Sequence, residues 1–224
     1  MEGKRNLSKK TLVKLLPALE LGKEQAQYFE NLVFFNQATT FEEKGFFYKK
    51  LVRSPGNSSF RKLGASQLRV FEKWHTIAVR EMLNLKEFRE DPRWISGNLL
   101  KKIDPREASE SLSMLLSSGL VGKVSEKLRA VDPDITTEDE IKSFLVTGYH
   151  KQMLELAIWA QDMIPAKDRD ISAVCFAVKE SDLGLLKKEI RHFRKHLRNF
   201  TAPEGQGDRI VQINLQMFPL TRGN

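Results

Sequence analysis

The sequence predicts a mainly α fold with some β, arranged as an N-terminal helical unit, a central winged-helix-like domain and a C-terminal β-α-β unit. Three observations carry that prediction. Apolar residues recur at helical spacing through most of the chain, turn-forming clusters interrupt them at 54–59 and at Asp132-Pro133, and the period changes to strand-like alternation in the last third. The units are expected over residues 1–56, 57–133 and 134–224.

Residues 7–53 read as three helices. Ser8 is the N-cap of the first, whose apolar positions are Leu12, Val13, Leu15, Leu16 and Leu19, and Pro17 predicts a kink or an early stop. After the break at Gly22, Ala26, Phe29, Leu32 and Val33 mark a second helix, and Phe46, Phe47, Leu51 and Val52 mark a third that begins at Thr40. Leu68, Phe71, Trp74, Ile77, Ala78, Glu81 and Leu85 then predict one strong helix over about 66–85. A short helix with Trp94, Ile95 and Leu99 follows Pro92. The next one opens at Asp104-Pro105, an N-cap followed by proline at the first helical position, and Gly119 ends it. Residues 120–124 and 128–131, joined by the polar turn Ser125-Glu126-Lys127, read as a hairpin. Three helices and a hairpin make a winged helix.

Thr137 and Glu140 offer a capping box for a long helix ending near Pro165, expected to bridge domains. Residues 171–178 form a β-rich run, Ser181 opens a helix to Phe200, and 209–218 alternate as a second strand with its apolar face buried from Ile213 onwards. Two strands alone are marginal, so their edges call for partners such as those of a second copy, which predicts a homodimer through the C-terminal strands.

Charge and composition bound the function. No apolar run reaches the roughly 18–20 residues a membrane-spanning helix needs, and the first residues, MEGKRNLSKK, lack an apolar signal core. A cytoplasmic chain with no membrane partner is expected. The single Cys175 excludes an intramolecular disulfide framework and multi-cysteine zinc sites, and its place between Val174 and Phe176 suggests a buried core thiol. A net charge of +8 favours a polyanionic partner, DNA foremost.

Two stretches carry a resemblance. Gly3-Lys4-Arg5-Asn6-Leu7-Ser8 followed by Leu12-Val13-Lys14-Leu15-Leu16-Pro17-Ala18-Leu19-Glu20-Leu21 resembles the end of a Cro/repressor-type helix-turn-helix domain, with only its back half present. The chain as a whole, through Tyr28-Phe29-Glu30-Asn31-Leu32-Val33, Lys73-Trp74-His75, Ala78-Val79-Arg80-Glu81, Arg169-Asp170-Ile171-Ser172 and Gln216-Met217-Phe218-Pro219-Leu220, is similar to a bacterial paralogous family of unknown function. Members are usually labelled transcriptional regulators. The resemblance implies a DNA-binding regulator without catalytic chemistry.

The candidate DNA-binding residues are Lys4, Arg5, Lys9, Lys10 and Lys14 near the N-terminus, Arg106 on the presumptive recognition helix, and Lys123, Lys127 and Arg129 on the wing. That recognition helix also exposes Glu107 and Glu110, a poor surface for phosphates. A third basic face, Lys187, Lys188, Arg191, Arg194, Lys195 and Arg198, fits an acidic protein partner or solvent, while Leu183, Leu186, Ile190, Phe193 and Leu197 on the other side should pack on the sheet. His192 and His196 stand four apart but lack the H-E-x-x-H pattern, so no metal is assigned. No glycine-rich phosphate loop, nucleophile elbow or carboxylate pair is found, which predicts a non-enzymatic protein without a cofactor. The expectation is therefore a transcription-associated regulator; the alternative is a protein-interaction or scaffold module, or a small-molecule sensor, that does not bind DNA.

Overall fold

The structure, a computed structural model, describes residues 6–53, 68–125, 127–131, 139–200 and 205–222. The fold is mainly helical, with one two-stranded antiparallel sheet among the described residues. No helix there is long and apolar enough to cross a membrane.

The first unit contains α1 (Lys9–Leu15), α2 (Lys23–Gln37) and α3 (Phe41–Arg53). Ser8 caps α1 by accepting from the Thr11 N–H at 3.1 Å. Pro17 falls in a 3-10 turn, Leu16–Leu19, that ends with Glu20 in the left-handed region at φ 50°. Thr40 and Glu43 form a reciprocal cap at the start of α3: the Glu43 N–H donates to Thr40 Oγ1 at 3.2 Å and the Thr40 N–H to Glu43 Oε2 at 3.5 Å. Phe35, Tyr48 and Leu51 from α2 and α3 make a core with Leu68 and Leu145. Phe144 meets Phe35 edge-on in that core, with ring centroids 5.7 Å apart. The proposed border at 54–59 lies outside the described residues.

The continuous helix expected over about 66–85 is interrupted. A 3-10 turn, Arg69–Phe71, precedes Lys73, whose extended backbone (φ −130°, ψ 127°) starts α4 (Trp74–Met82) afresh. Gln152, on the later long helix, explains the break. Its Nε2 donates to the Glu72 carbonyl at 3.0 Å and its Oε1 accepts from the Trp74 N–H at 2.8 Å, so it satisfies the backbone groups that the interruption exposes.

Next come α5 (Pro92–Asn98), α6 (Pro105–Ser117), β1 (Val121–Val124) and β2 (Lys127–Ala130). Asp91 caps α5 at the Arg93 N–H, and Asp104 with Glu107 completes a capping box on α6. Gly119, at φ 73°, releases the chain from α6 into β1, a conformation that costs a side-chain-bearing residue strain. β1 pairs β2 antiparallel, with Val121 opposite Ala130 and Lys123 opposite Leu128. Val79, Met82, Ile95, Leu115, Val121 and Leu128 are among the buried residues of the central core. Three helices and an antiparallel hairpin thus follow one another in this unit.

The long helix α7 spans Asp139–Met163. Leu145 enters the first core, and Gln152 binds the start of α4, so this helix touches both units. Thr137, the expected cap, lies outside the described residues.

The C-terminal part departs from the β-α-β expectation. Its helix is present as α8 (Leu183–Leu197), entered through a 3-10 turn at Glu180–Asp182. Neither 171–178 nor 209–218 is a strand of any sheet. Among the described residues, the β pairing of this part is one isolated parallel bridge, Leu85 to Gly207. A strand needs a neighbour for its backbone groups, and none of the other described residues supplies one in register. The apolar face of α8 therefore finds no sheet to pack on, and α8 buries no residue. Cys175, expected in a core, is exposed for the same reason.

Candidate functional site

The expectation of a recognition helix and a wing directs attention to α6 and the hairpin. On α6, Arg106, Ser109, Glu110, Ser113 and Ser117 face solvent, and Glu107 is half-buried. The two carboxylates are held within a network of cations. Glu107 Oε2 accepts from the Asp104 N–H at 3.1 Å, and its Oε1 lies 3.5 Å from Lys73 Nζ and 3.7 Å from His75 Nε2. Glu110 receives Arg106 Nε at 3.0 Å and Lys73 Nζ at 3.5 Å. The Asp104 N–H, followed by His75 and Lys73, holds the Glu107 carboxyl below the usual range, and the Arg106 hydrogen bond does the same for Glu110. Two cations and two carboxylates cancel locally, so α6 presents a balanced surface where the sequence suggested an acidic one. Lys73 sits 34 and 37 residues away in sequence, and no local signal marks it.

Beneath that surface lies a buried polar cluster. His75 Nδ1 is 2.9 Å from Ser111 Oγ, and Thr76 Oγ1 is 3.3 Å from the same hydroxyl. Ser111 also donates to the Glu107 carbonyl at 2.9 Å. Burial keeps the His75 imidazole below its ordinary pKa of 6.5, against the pull of the Glu107 carboxylate, while Lys73 pushes the same way as burial. A hydroxyl, an imidazole and a carboxylate in sequence resemble the parts of a nucleophilic triad. Ser111 is only 2% exposed, and its hydroxyl is committed to the backbone of its own helix, so no substrate carbonyl reaches it. The cluster fastens α4 to α6.

The wing carries its three cations on two faces. Residues directly opposite in an antiparallel pair share a face. Lys127 and Arg129 therefore lie with Val124 and Gly122, whereas Lys123 lies with the buried Val121 and Leu128. Lys123 and Lys127 are exposed and Arg129 is half-buried. Arg80 braces the hairpin end through its Nη2, which donates to the Val131 carbonyl at 3.3 Å.

The remaining candidates stand on other elements. Lys9, Lys10 and Lys14 are exposed on α1, anchored by the buried Leu12; Lys4 and Arg5 lie outside the described residues. Lys187, Lys188, Arg191, Arg194 and Lys195 project from α8, and the side chain of Arg198 lies outside the described part. Among the described residues, no group of three or more His, Cys, Asp or Glu side chains gathers to hold a metal. A cleft where the C-terminal segment crosses the end of α4 is lined by Leu85, Trp94 and Asn98 together with Lys86, Glu87 and Asp208. Lys86 and Asp208 form an ion pair there at 2.9 Å.

A mainly helical protein with a small two-stranded antiparallel sheet is thus the class defined by the fold. By sequence the chain belongs to the family described as "Domain of unknown function (DUF4423)", whose model matches residues 54–220, from before α4 to beyond α8. No curated protein and no solved structure gives a match.

Proposed function

We propose that this chain is a non-catalytic, transcription-associated regulator whose winged-helix centre engages duplex DNA through its phosphates. The observation that carries the reading is the exposed Lys123 and Lys127 on a hairpin that directly follows three helices. The neutralised face of α6 supports it as well. Arg106, 85% exposed on its side chain, and Lys73 together balance Glu107 and Glu110, so the helix repels a polyanion less than its sequence alone suggests. Such contacts position the protein on a duplex and carry little sequence information.

Fluorescence anisotropy with a labelled duplex at about 50 and 200 mM salt tests the reading. Binding should weaken steeply with salt, and Lys123→Ala with Lys127→Ala should lower the slope of log affinity against log salt by about 2. Absence of binding at the lower salt, or a slope untouched by both substitutions, overturns it.

A further inference from the structure

We infer that the C-terminal part, residues 171–200 and 205–220, is a dimerisation surface whose occupant is a second copy of this chain. The argument begins with the segment 209–218. Ile210 packs against the central core and Asn214 Nδ2 donates to the Met153 carbonyl of α7 at 2.9 Å, so these two residues face the body while Gln212, Gln216 and Phe218 are exposed. The odd-numbered side, Val211, Ile213 and Leu215, faces water, with Val211 82% exposed. An alternating strand of a monomer would turn Ile213 and Leu215 inward and Asn214 to water.

The run 171–178 adds to this. Val174 is 80% exposed and Phe176 is 58% exposed. Ile171, Ala173, Cys175 and Ala177 make its other side apolar too, the pattern of a strand covered on both faces. No backbone hydrogen bond among the described residues pairs this run with another element. Among the described residues between 171 and 220, thirteen large apolar side chains are exposed, together on the order of 1,000 Å² when each shows about half of its area. A stable interface needs roughly 800 Å² from each partner.

A second copy provides what is missing in kind. It brings a two-faced strand, a one-faced strand and the half-exposed apolar stripe of α8, so two chains related by a two-fold axis can complete a sheet and cover it with their own helices. The cations of α8 then stay outward, away from their like-charged counterparts. Because the surface is separate from the wing, this inference does not depend on DNA binding.

The test is sedimentation velocity on the full chain, together with amide hydrogen exchange. At about 10 µM the chain should sediment at twice its 25.8 kDa mass, with slow exchange over 171–178 and 211–217. Val174→Lys and Ile213→Lys, both on exposed positions, should each raise the dissociation constant at least ~10-fold and speed exchange in those segments. Unchanged exchange in α4 and α6 confirms that the variants are folded, and the exchange pattern of the unaltered chain tests the inference without them. A monomer with fast exchange over both segments overturns it. A dimer that survives both substitutions overturns the assigned surface.

Discussion

His75 Nδ1 and Ser111 Oγ lie 2.9 Å apart inside the central core, joining α4 to α6 across 36 residues of sequence. Ser111→Ala removes the partner of His75 and of Thr76 Oγ1 without creating a large cavity. A buried polar group left unsatisfied costs about 1–3 kcal/mol, so urea unfolding should show a loss of that size, with the slope against denaturant unchanged. A neutral outcome would mean that water reaches the imidazole.

The same imidazole makes stability depend on pH. Its folded pKa lies below the ordinary 6.5, because burial, aided by Lys73, disfavours the charged ring more than Glu107 and Glu110 favour it. In the unfolded chain the ring takes up its proton near 6.5, whereas the folded ring resists. Unfolding then binds protons, and stability falls as pH drops from about 6.5 toward the folded value, below which this contribution is constant. Glu107, whose folded pKa is also depressed, adds a further loss in more acidic solution. Melting curves between pH 7.5 and 5.5 should slope less in His75→Gln than in the unaltered protein; parallel slopes would assign the acid sensitivity to other groups.

Gly119 is a second point of control. At φ 73° it leads α6 into the hairpin, and a Cβ there would meet nothing within 4 Å. Gly119→Ala should therefore cost about 1 kcal/mol from backbone strain alone, and Gly119→Asn less, since asparagine tolerates the left-handed region. Equal melting temperatures for the two variants would contradict this account.

Gly207 fastens the C-terminal segment to the end of α4. Its N–H donates to the Asn84 carbonyl at 3.0 Å and its carbonyl accepts from the Lys86 N–H at 2.9 Å. A Cβ at this position would stand 3.1 Å from the Asn84 carbonyl oxygen, a backbone atom with little freedom to retreat. Gly207→Val should loosen both hydrogen bonds, read as faster amide exchange at Lys86 with little change at Val79 in the core. Unaltered exchange at Lys86 would show that the segment is held elsewhere.

Much of the central unit was legible in the sequence. Asp104-Pro105 and Gly119 announced the two ends of α6, the polar turn between 120–124 and 128–131 announced the hairpin, and Ser8 announced α1, because each is a signal carried by a few neighbouring residues. The break at Glu72 and Lys73 was not legible, since it is held open by Gln152 from another helix. The candidate cations were found on the chain, but Lys73 was not among them, and the sharing of Lys123, Lys127 and Arg129 between two faces required the register of the hairpin.

By itself, then, the sequence determined where α1 begins, where α6 begins and ends, and which residues are apolar or charged, because caps, turns and periodicity are encoded within a few neighbouring positions. Only the tertiary structure decided that Lys73 neutralises the surface of α6, that His75 and Ser111 meet in the core, and that the apolar side of 209–218 turns to water while Asn214 turns inward. These depend on which distant elements approach one another. For a strand, whose hydrogen bonds all leave the segment, that approach decides whether it is a strand at all.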